Sequence, residues 1–256
     1  MPRRRTHPYL SASGPIAFAH RGGTDEAPEN TIAAFDAAVR AGYTYLETDV
    51  HATRDGVLIA FHDETLDRVT DSTGRVADMD WSEIRTATIQ GHPIPLFEDL
   101  VASFPDARFN IDPKSDRSAD LLGAELERLD VFERVCVGSF SDTRLARLRH
   151  RFGARLCTSM GPADVARLRL KAWRLPVQWR SGADCAQVPR RYWGLPVVDA
   201  AFVDQAHAVG VPVHVWTIND AAAMERLLDL GVDGIMTDHP SMLRDIMIRR
   251  GVWTGS

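Results

Sequence analysis

The sequence predicts an α/β fold, a (β/α)8 TIM barrel, on three observations. Short β-rich runs alternate with helical patterns from Ile16 onward, the rhythm of a parallel sheet. Gly42, Gly153, Gly210 and Gly231 close helical patterns just ahead of the next run, where a left-handed residue makes a short turn. The length, 256 residues, suits one barrel without a second domain.

The β-rich runs fall near 16–20, 45–51, 57–62, 108–114, 134–139, 154–160, 186–189, 211–217 and 233–237. That is one more than an eight-stranded barrel holds. The surplus resolves at HATRDG, because a parallel crossover needs about a dozen residues and far fewer separate 45–51 from 57–62. These two runs are expected to form an antiparallel hairpin turning at Asp55-Gly56. Arg54 then pairs with Val57, and counting outward sets Asp49 opposite His62. Ile32, Phe35 and Val39 form a helical stripe opened by Asn30 or Thr31 as N-cap, and Met224, Leu227 and Leu228 repeat the pattern. Pro240 stands where a first helical residue belongs. These stripes are packing. Region 63–105 reads as a loop-rich insertion with two short helices, residues 1–15 as a flexible N-terminal tail, and 16–256 as a single barrel domain.

A hydrophobic fraction of 45% with 25% charged residues describes an ordinary globular protein. The net charge of −5 argues against a nucleic-acid partner, which would call for excess Lys and Arg. A small-molecule substrate is the expected partner. No apolar stretch approaches the roughly 18 residues of a membrane span, and the basic start lacks the apolar core of a secretory signal. Stable membrane insertion is therefore not expected, and a cytoplasmic location is. Oligomeric state is not encoded in these patterns. Cys136, Cys157 and Cys185 have no CxxC spacing, so neither a thiolate zinc site nor a disulfide framework is indicated, and all three are expected to be reduced and mostly buried.

The chemistry begins at YLETDVH. Residues two apart on a strand share a face, so Glu47, Asp49 and His51 point one way. Carboxylates placed so are costly in a core unless a cation or base compensates, and their oxygens suit Mg²⁺ or Ca²⁺ better than zinc. Taken alone, the pattern also fits a solvated strand face. Recurrence tips the balance: FNIDPK puts Asp112 and Lys114 two apart on another apolar run, and charged strand ends gather at the C-terminal mouth of a barrel. In IAFAHRGG an apolar run ends in His20 and Arg21, one able to move a proton and the other to grip an anion. Gly22 and Gly23 are expected to allow close backbone approach to a ligand, and Glu29 and Asn30 lie near the same mouth. His62 ends the returning hairpin strand. Opposite Asp49 it supplies a second imidazole, and Lys114 adds charge stabilisation in the transition state.

Near the C-terminus, His214 and Trp216 share a strand face whose direction is open, and Trp216 is either a pocket wall or core packing. Asp238 reads as N-cap of the last helix. His7, His92, His150, His207 and His239 lack such company and are assigned to the surface or loops.

The motifs AHRGG, PENT, LETDVHATRDG, FHDETLDRVTDSTG, IPLFEDL, VHVWTIND and GIMTDHP, spread from about residue 16 to about residue 240, resemble those of the glycerophosphodiester phosphodiesterase family. The resemblance implies a TIM barrel that hydrolyses glycerophosphodiesters to glycerol 3-phosphate and an alcohol. It implies one divalent cation, Mg²⁺ or Ca²⁺ with Mn²⁺ as a further option, bound by Glu47, Asp49 and Asp112. His20 and His62 become the acid/base pair, with Arg21, Lys114 and Trp216 toward the phosphate and substrate. The family usually carries Glu where this chain has Asp112, and Pro113 is expected to end or bend that strand. The nucleophile is either water or the neighbouring glycerol hydroxyl, which would first form a cyclic phosphate. Two alternatives stand beside this reading. One is a related phosphodiesterase on lysophospholipids, with an apolar groove in 63–105 or 171–195. The other is a catalytically silent barrel that binds a phosphorylated ligand.

Overall fold

The structure, a computed structural model, describes residues 7–179 and 181–255. Eight parallel strands follow one another around a barrel: β1 (Ile16–His20), β2 (Tyr45–Ala52), β3 (Arg108–Pro113), β4 (Val135–Val137), β5 (Cys157–Thr158), β6 (Ala186–Pro189), β7 (Val213–Trp216) and β8 (Gly234–Thr237). Neighbours in sequence are neighbours in space, and β1 pairs with both β2 and β8. The circle closes between β5 and β6 through the single parallel bridge Ser159–Cys185. A helix follows each strand: α1 (Ile32–Arg40), α2 (Phe97–Ser103), α3 (Asp116–Leu129), α4 (Asp142–Phe152), α5 (Pro162–Ala172), α6 (Ala200–Ala208), α7 (Ala221–Asp229) and α8 (Pro240–Arg249).

Strand alternation divides the interior in two. Leu46, Val50, Phe109, Ile111, Val135, Val137, Val213 and Val215 pack outward against Phe35, Leu122, Leu145 and their neighbours on the helices. The alternate positions Phe18, Tyr45, Cys136 and Met236 turn into the barrel. Each buried aliphatic side chain in such a layer contributes about 1.5–3 kcal/mol relative to exposure. Thr31 caps α1, its Oγ1 accepting from Ala34 N at 3.2 Å. Pro113 ends β3, as its missing donor requires. Among the described residues no helix is long and apolar enough to cross a membrane.

Two expectations are corrected here. Residues 7–15 are not a solvated tail: Tyr9 is fully buried at the N-terminal ends of β1 and β2, edge-to-face on Tyr45 with centroids 5.3 Å apart. The Tyr45 hydroxyl donates to Tyr9 O at 2.7 Å. His7, assigned to the surface, is buried, its Nδ1 accepting from Tyr9 N and its Nε2 lying 3.0 Å from Arg155 O. Residues 1–6 lie outside the described residues.

The hairpin forms with its register one residue away from the expected one. Val50 pairs with Ala60 and Ala52 with Leu58, so Asp49 faces Phe61, whose N–H donates to Asp49 O at 3.0 Å. The loop has three residues instead of two. Thr53 N donates to Val57 O, Gly56 N donates to Thr53 O, and Gly56 takes φ 88°. Thr53 Oγ1 also accepts from Val57 N, which favours the wider loop. A one-residue slip reverses which face each side chain takes. His62 nonetheless reaches the mouth, because the return strand, Leu58–Ala60, ends before it. The insertion builds its own core from Ile59, Phe61, Leu66, Val76, Ile84 and Ile89. It also holds a hairpin, Thr88–Ile89 with His92–Pro93, that the sequence pattern did not reveal.

Candidate active site

The C-terminal ends of β1, β2 and β3 build one wall of a cavity of about 480 Å3. His20 is the last residue of β1. Glu47 and Asp49 share the inward face of β2, and Asp112 stands in register with Asp49 across the β2–β3 pair. Lys114 follows the strand end at Pro113. His20, Arg21, Glu47, Asp49, His62, Asp112, Lys114 and Trp216 all line this cavity, so the structure brings the whole expected set together.

The contacts form a chain of ion pairs. Lys114 Nζ lies 2.6 Å from Asp49 Oδ1 and 2.9 Å from Asp112 Oδ2. Burial opposes the lysine's charge, but these carboxylates outweigh it and push its pKa up to about 12. Asp49 is buried too, yet Lys114 and Arg21 hold it below the ordinary carboxylate range. Glu47 goes the other way: burial, then the charge of Asp49, push it up to about 7. Burial likewise raises Asp112, against the pull of Lys114. Arg21 sits in the left-handed region at φ 54°, with its N–H donating to Glu47 Oε2 at 3.1 Å and its Nη1 donating to Glu29 Oε1 at 3.0 Å.

Each histidine of the pair is held through Nδ1 by a carboxylate. His20 Nδ1 is 2.6 Å from Asp238 Oδ1, and its Nε2 is 3.6 Å from Glu47 Oε2. Burial works against a charged His20, but Glu47 and Asp238 overcome it and raise its pKa. His62 Nδ1 is 2.5 Å from Asp63 Oδ1. Asp63 in turn pairs with Arg68, which reaches over to Glu29 at 2.6 Å.

Several readings change. Asp238 is not the cap of α8, which follows His239. It orients His20 and is itself held by Asn219 Nδ2 at 2.6 Å. The motif GIMTDHP contains it, but no local pattern shows that a residue 218 positions away serves His20. Asp63 was there to be found beside His62 in FHDE, whereas Arg68 was not. His51 shares the face of Glu47 and Asp49 but lies outside the cavity lining. Its Nε2 is 3.0 Å from His62 O, and burial lowers its pKa. Gly22 and Gly23 serve packing instead of ligand approach, since a Cβ at Gly22 would stand 2.8 Å from Phe35 N and one at Gly23 2.3 Å from Pro240 Cγ. Trp216 is a pocket wall, edge-to-face with Phe140 at 5.5 Å.

The opposite wall is apolar. Met160, Val165, Trp173, Tyr192, Leu195 and Pro196 face the charged side, and no residue of 63–105 lines the cavity. Of the two segments named for an apolar groove, only 171–195 contributes.

A barrel mouth that gathers two carboxylate-held imidazoles, three further carboxylates, an arginine and a lysine has the charges to hold an anionic substrate. Residues 20–242 match the glycerophosphoryl diester phosphodiesterase family, and the chain belongs to it. It is an enzyme of the phosphoric diester hydrolase class. It is 40% identical to probable glycerophosphodiester phosphodiesterase 2 of Mycobacterium tuberculosis, over 97% of this chain and 96% of that protein. Human lysophospholipase D GDPD1 is 28% identical over 90% of this chain and 85% of its own. The fold matches an Oleispira antarctica phosphodiesterase solved in complex with the product sn-glycerol-3-phosphate, with TM-score 0.75, 20% identity, and 92% and 97% of the two chains covered.

Proposed function

We infer that this enzyme hydrolyses glycerophosphodiesters to glycerol 3-phosphate and an alcohol, with His20 and His62 as acid and base and a divalent cation at Glu47, Asp49 and Asp112. The observation that carries the reading is the pair of imidazoles on one cavity, each oriented through Nδ1 by its own carboxylate. The donor set fits a hard cation. It is all oxygen, and Asp49 Oδ2 is buried without a hydrogen-bond partner, with Arg21 Nε 3.2 Å away but out of hydrogen-bond geometry. Burial, then the charge of Asp49, makes Glu47 hold a proton more readily than usual, a load that a nearby cation would offset.

When bound, the cation supplies Lewis-acid polarisation of the phosphoryl oxygens. Arg21 and Lys114 bind the phosphate and offset the charge that grows in the transition state. His20, raised in pKa by Glu47 and Asp238, holds a proton to give to the leaving oxygen. His62, its Nδ1–H directed to Asp63, presents Nε2 as the acceptor for the proton of the attacking hydroxyl.

The test is release of glycerol 3-phosphate from glycerophosphocholine and glycerophosphoethanolamine with Mg²⁺, Ca²⁺ or Mn²⁺, then with EDTA. Release that stops with EDTA and returns with cation is expected. No release from any of these diesters would sink the reading, and release indifferent to EDTA would remove the cation from it. The apolar wall of Trp173, Tyr192 and Leu195 favours a second substrate class for the same chemistry, lysophospholipids, whose acyl chain that wall would cover.

A further inference from the structure

Three thiols far apart in sequence meet inside the barrel, beneath the catalytic mouth. Cys136 and Cys157 are direct register partners on β4 and β5, and Cys185 stands at the bridge that closes the barrel. All three are free and fully buried. Their sulfurs all lie within 4.8 Å of one another, with Cys136 Sγ 3.8 Å from Cys185 Sγ. A tetrahedral cation with metal–sulfur bonds of about 2.3 Å sets sulfur–sulfur edges of about 3.8 Å. One sulfur pair already has that spacing, and the other two lie within 4.8 Å.

Two buried polar groups of the barrel interior lack a hydrogen-bond partner. His214, fully buried on β7, touches the Cys185 thiol, and its Nε2 has no hydrogen-bond partner. The Tyr9 hydroxyl, packed in the same inner cluster, has none either. Leaving a buried donor or acceptor unsatisfied costs roughly 1–3 kcal/mol, so an orphaned imidazole nitrogen on the residue against the Cys185 thiol calls for a partner. Its other nitrogen, Nδ1, lies 3.5 Å from Gln187 Nε2, and Gln187 is held by Asn110 and lines the cavity above. Ligation through Nε2 puts the proton on Nδ1, and the Gln187 and Asn110 amides accommodate it when both are rotated end for end, Gln187 Oε1 then accepting from Nδ1–H.

We propose that Cys136, Cys157, Cys185 and His214 form a buried structural site for one thiophilic divalent cation of the zinc class, separate from the hard-cation site at the mouth. Four protein ligands leave no open position, which makes the site structural in kind. Binding turns three thiols into thiolates and releases three protons to solvent, and the resulting core has a net charge of −1. Arg149, half-buried at the same seam with Nε donating to Thr158 Oγ1 at 2.8 Å, is the cation placed to offset it. The site ties β4, β5, β6 and β7 together at the seam where, among the described residues, an isolated bridge joins β5 and β6. The absence of CxxC spacing concealed it, because each ligand comes from a different β/α unit of the barrel.

The test is metal content and spectroscopy of the whole protein. After prolonged EDTA dialysis, about one equivalent of zinc should remain by mass spectrometry and be released only when guanidinium unfolds the chain. Protein produced in zinc-depleted, cobalt-supplemented medium should show a thiolate-to-cobalt charge-transfer band. Cys157→Ala and His214→Ala should lose the metal, and Glu47→Gln at the mouth should keep it. The proposal fails if the intact protein carries no zinc and shows no cobalt–thiolate band. It fails equally if a Cys136–Cys185 disulfide is found in its place, or if folded Cys157→Ala retains the metal. The spectrum of the unaltered protein decides even where a variant does not fold.

Discussion

The two walls of the catalytic cavity are built by opposite rules. The charged wall stands on strand ends, with Glu47 and Asp49 buried, Asp112 partly so, and the set cross-braced by Lys114 and Arg21. The apolar wall stands on α5 and on the segments flanking β6, and its outermost residues are open to solvent, with Tyr192 51% exposed and Trp193 on the neighbouring turn 89% exposed. Chemistry needs donors and charges held to a fraction of an ångström, which paired strands provide. Selection of an alcohol needs only apolar area, which loops supply and can vary without disturbing the chemistry. The charged wall should therefore act on every substrate alike, and the apolar wall only on substrates that reach it.

The largest effect expected is on the charged wall. His20→Ala or His62→Ala should lower kcat by about 10²–10⁴-fold on every diester, with the circular dichroism spectrum unchanged. Near wild-type kcat in either variant would remove that histidine from the acid/base pair.

Next comes Glu47→Gln, which separates stability from function. Glu47 has its folded pKa raised from 4.5 to about 7. Between those values the unfolded chain gives up the proton first, so stability falls as pH rises through the window and stays lowered above it. Removing the carboxylate should then stabilise the cation-free protein by about 2 kcal/mol at pH 8 and by nearly nothing at pH 4.5, measured by urea unfolding in EDTA. The same variant should need more cation for activity. Equal stability gains at both pH values would show that burial of Glu47 is not what raises its pKa.

The smallest effect belongs to the apolar wall. Tyr192→Ala should leave glycerophosphocholine turnover unchanged and reduce kcat/KM on lysophosphatidylcholine by about 3–10-fold, the scale of one partly buried ring. An equal loss on both substrates would collapse the distinction between the walls.

Glu47, Asp49, Asp112 and Lys114 are legible in the sequence, because strand periodicity puts alternate residues on one face and charge among apolar runs is conspicuous. The apolar wall was not, since Tyr192 and Leu195 face the cavity through a turn whose path no periodicity dictates. Asp238 was misjudged for the same reason: its partner, His20, lies at the other end of the chain and meets it only because β1 and β8 pair.

By itself, then, the sequence determined the alternation of strand and helix, the glycine stops and the charged strand ends, all set by interactions within a few residues. Tertiary structure decided the rest. Closure of the barrel delivered Asp238 to His20, and the β5–β6 seam gathered three scattered cysteines. Each depends on which distant strands become neighbours, and pairing over such separations is governed by the packing of the whole barrel.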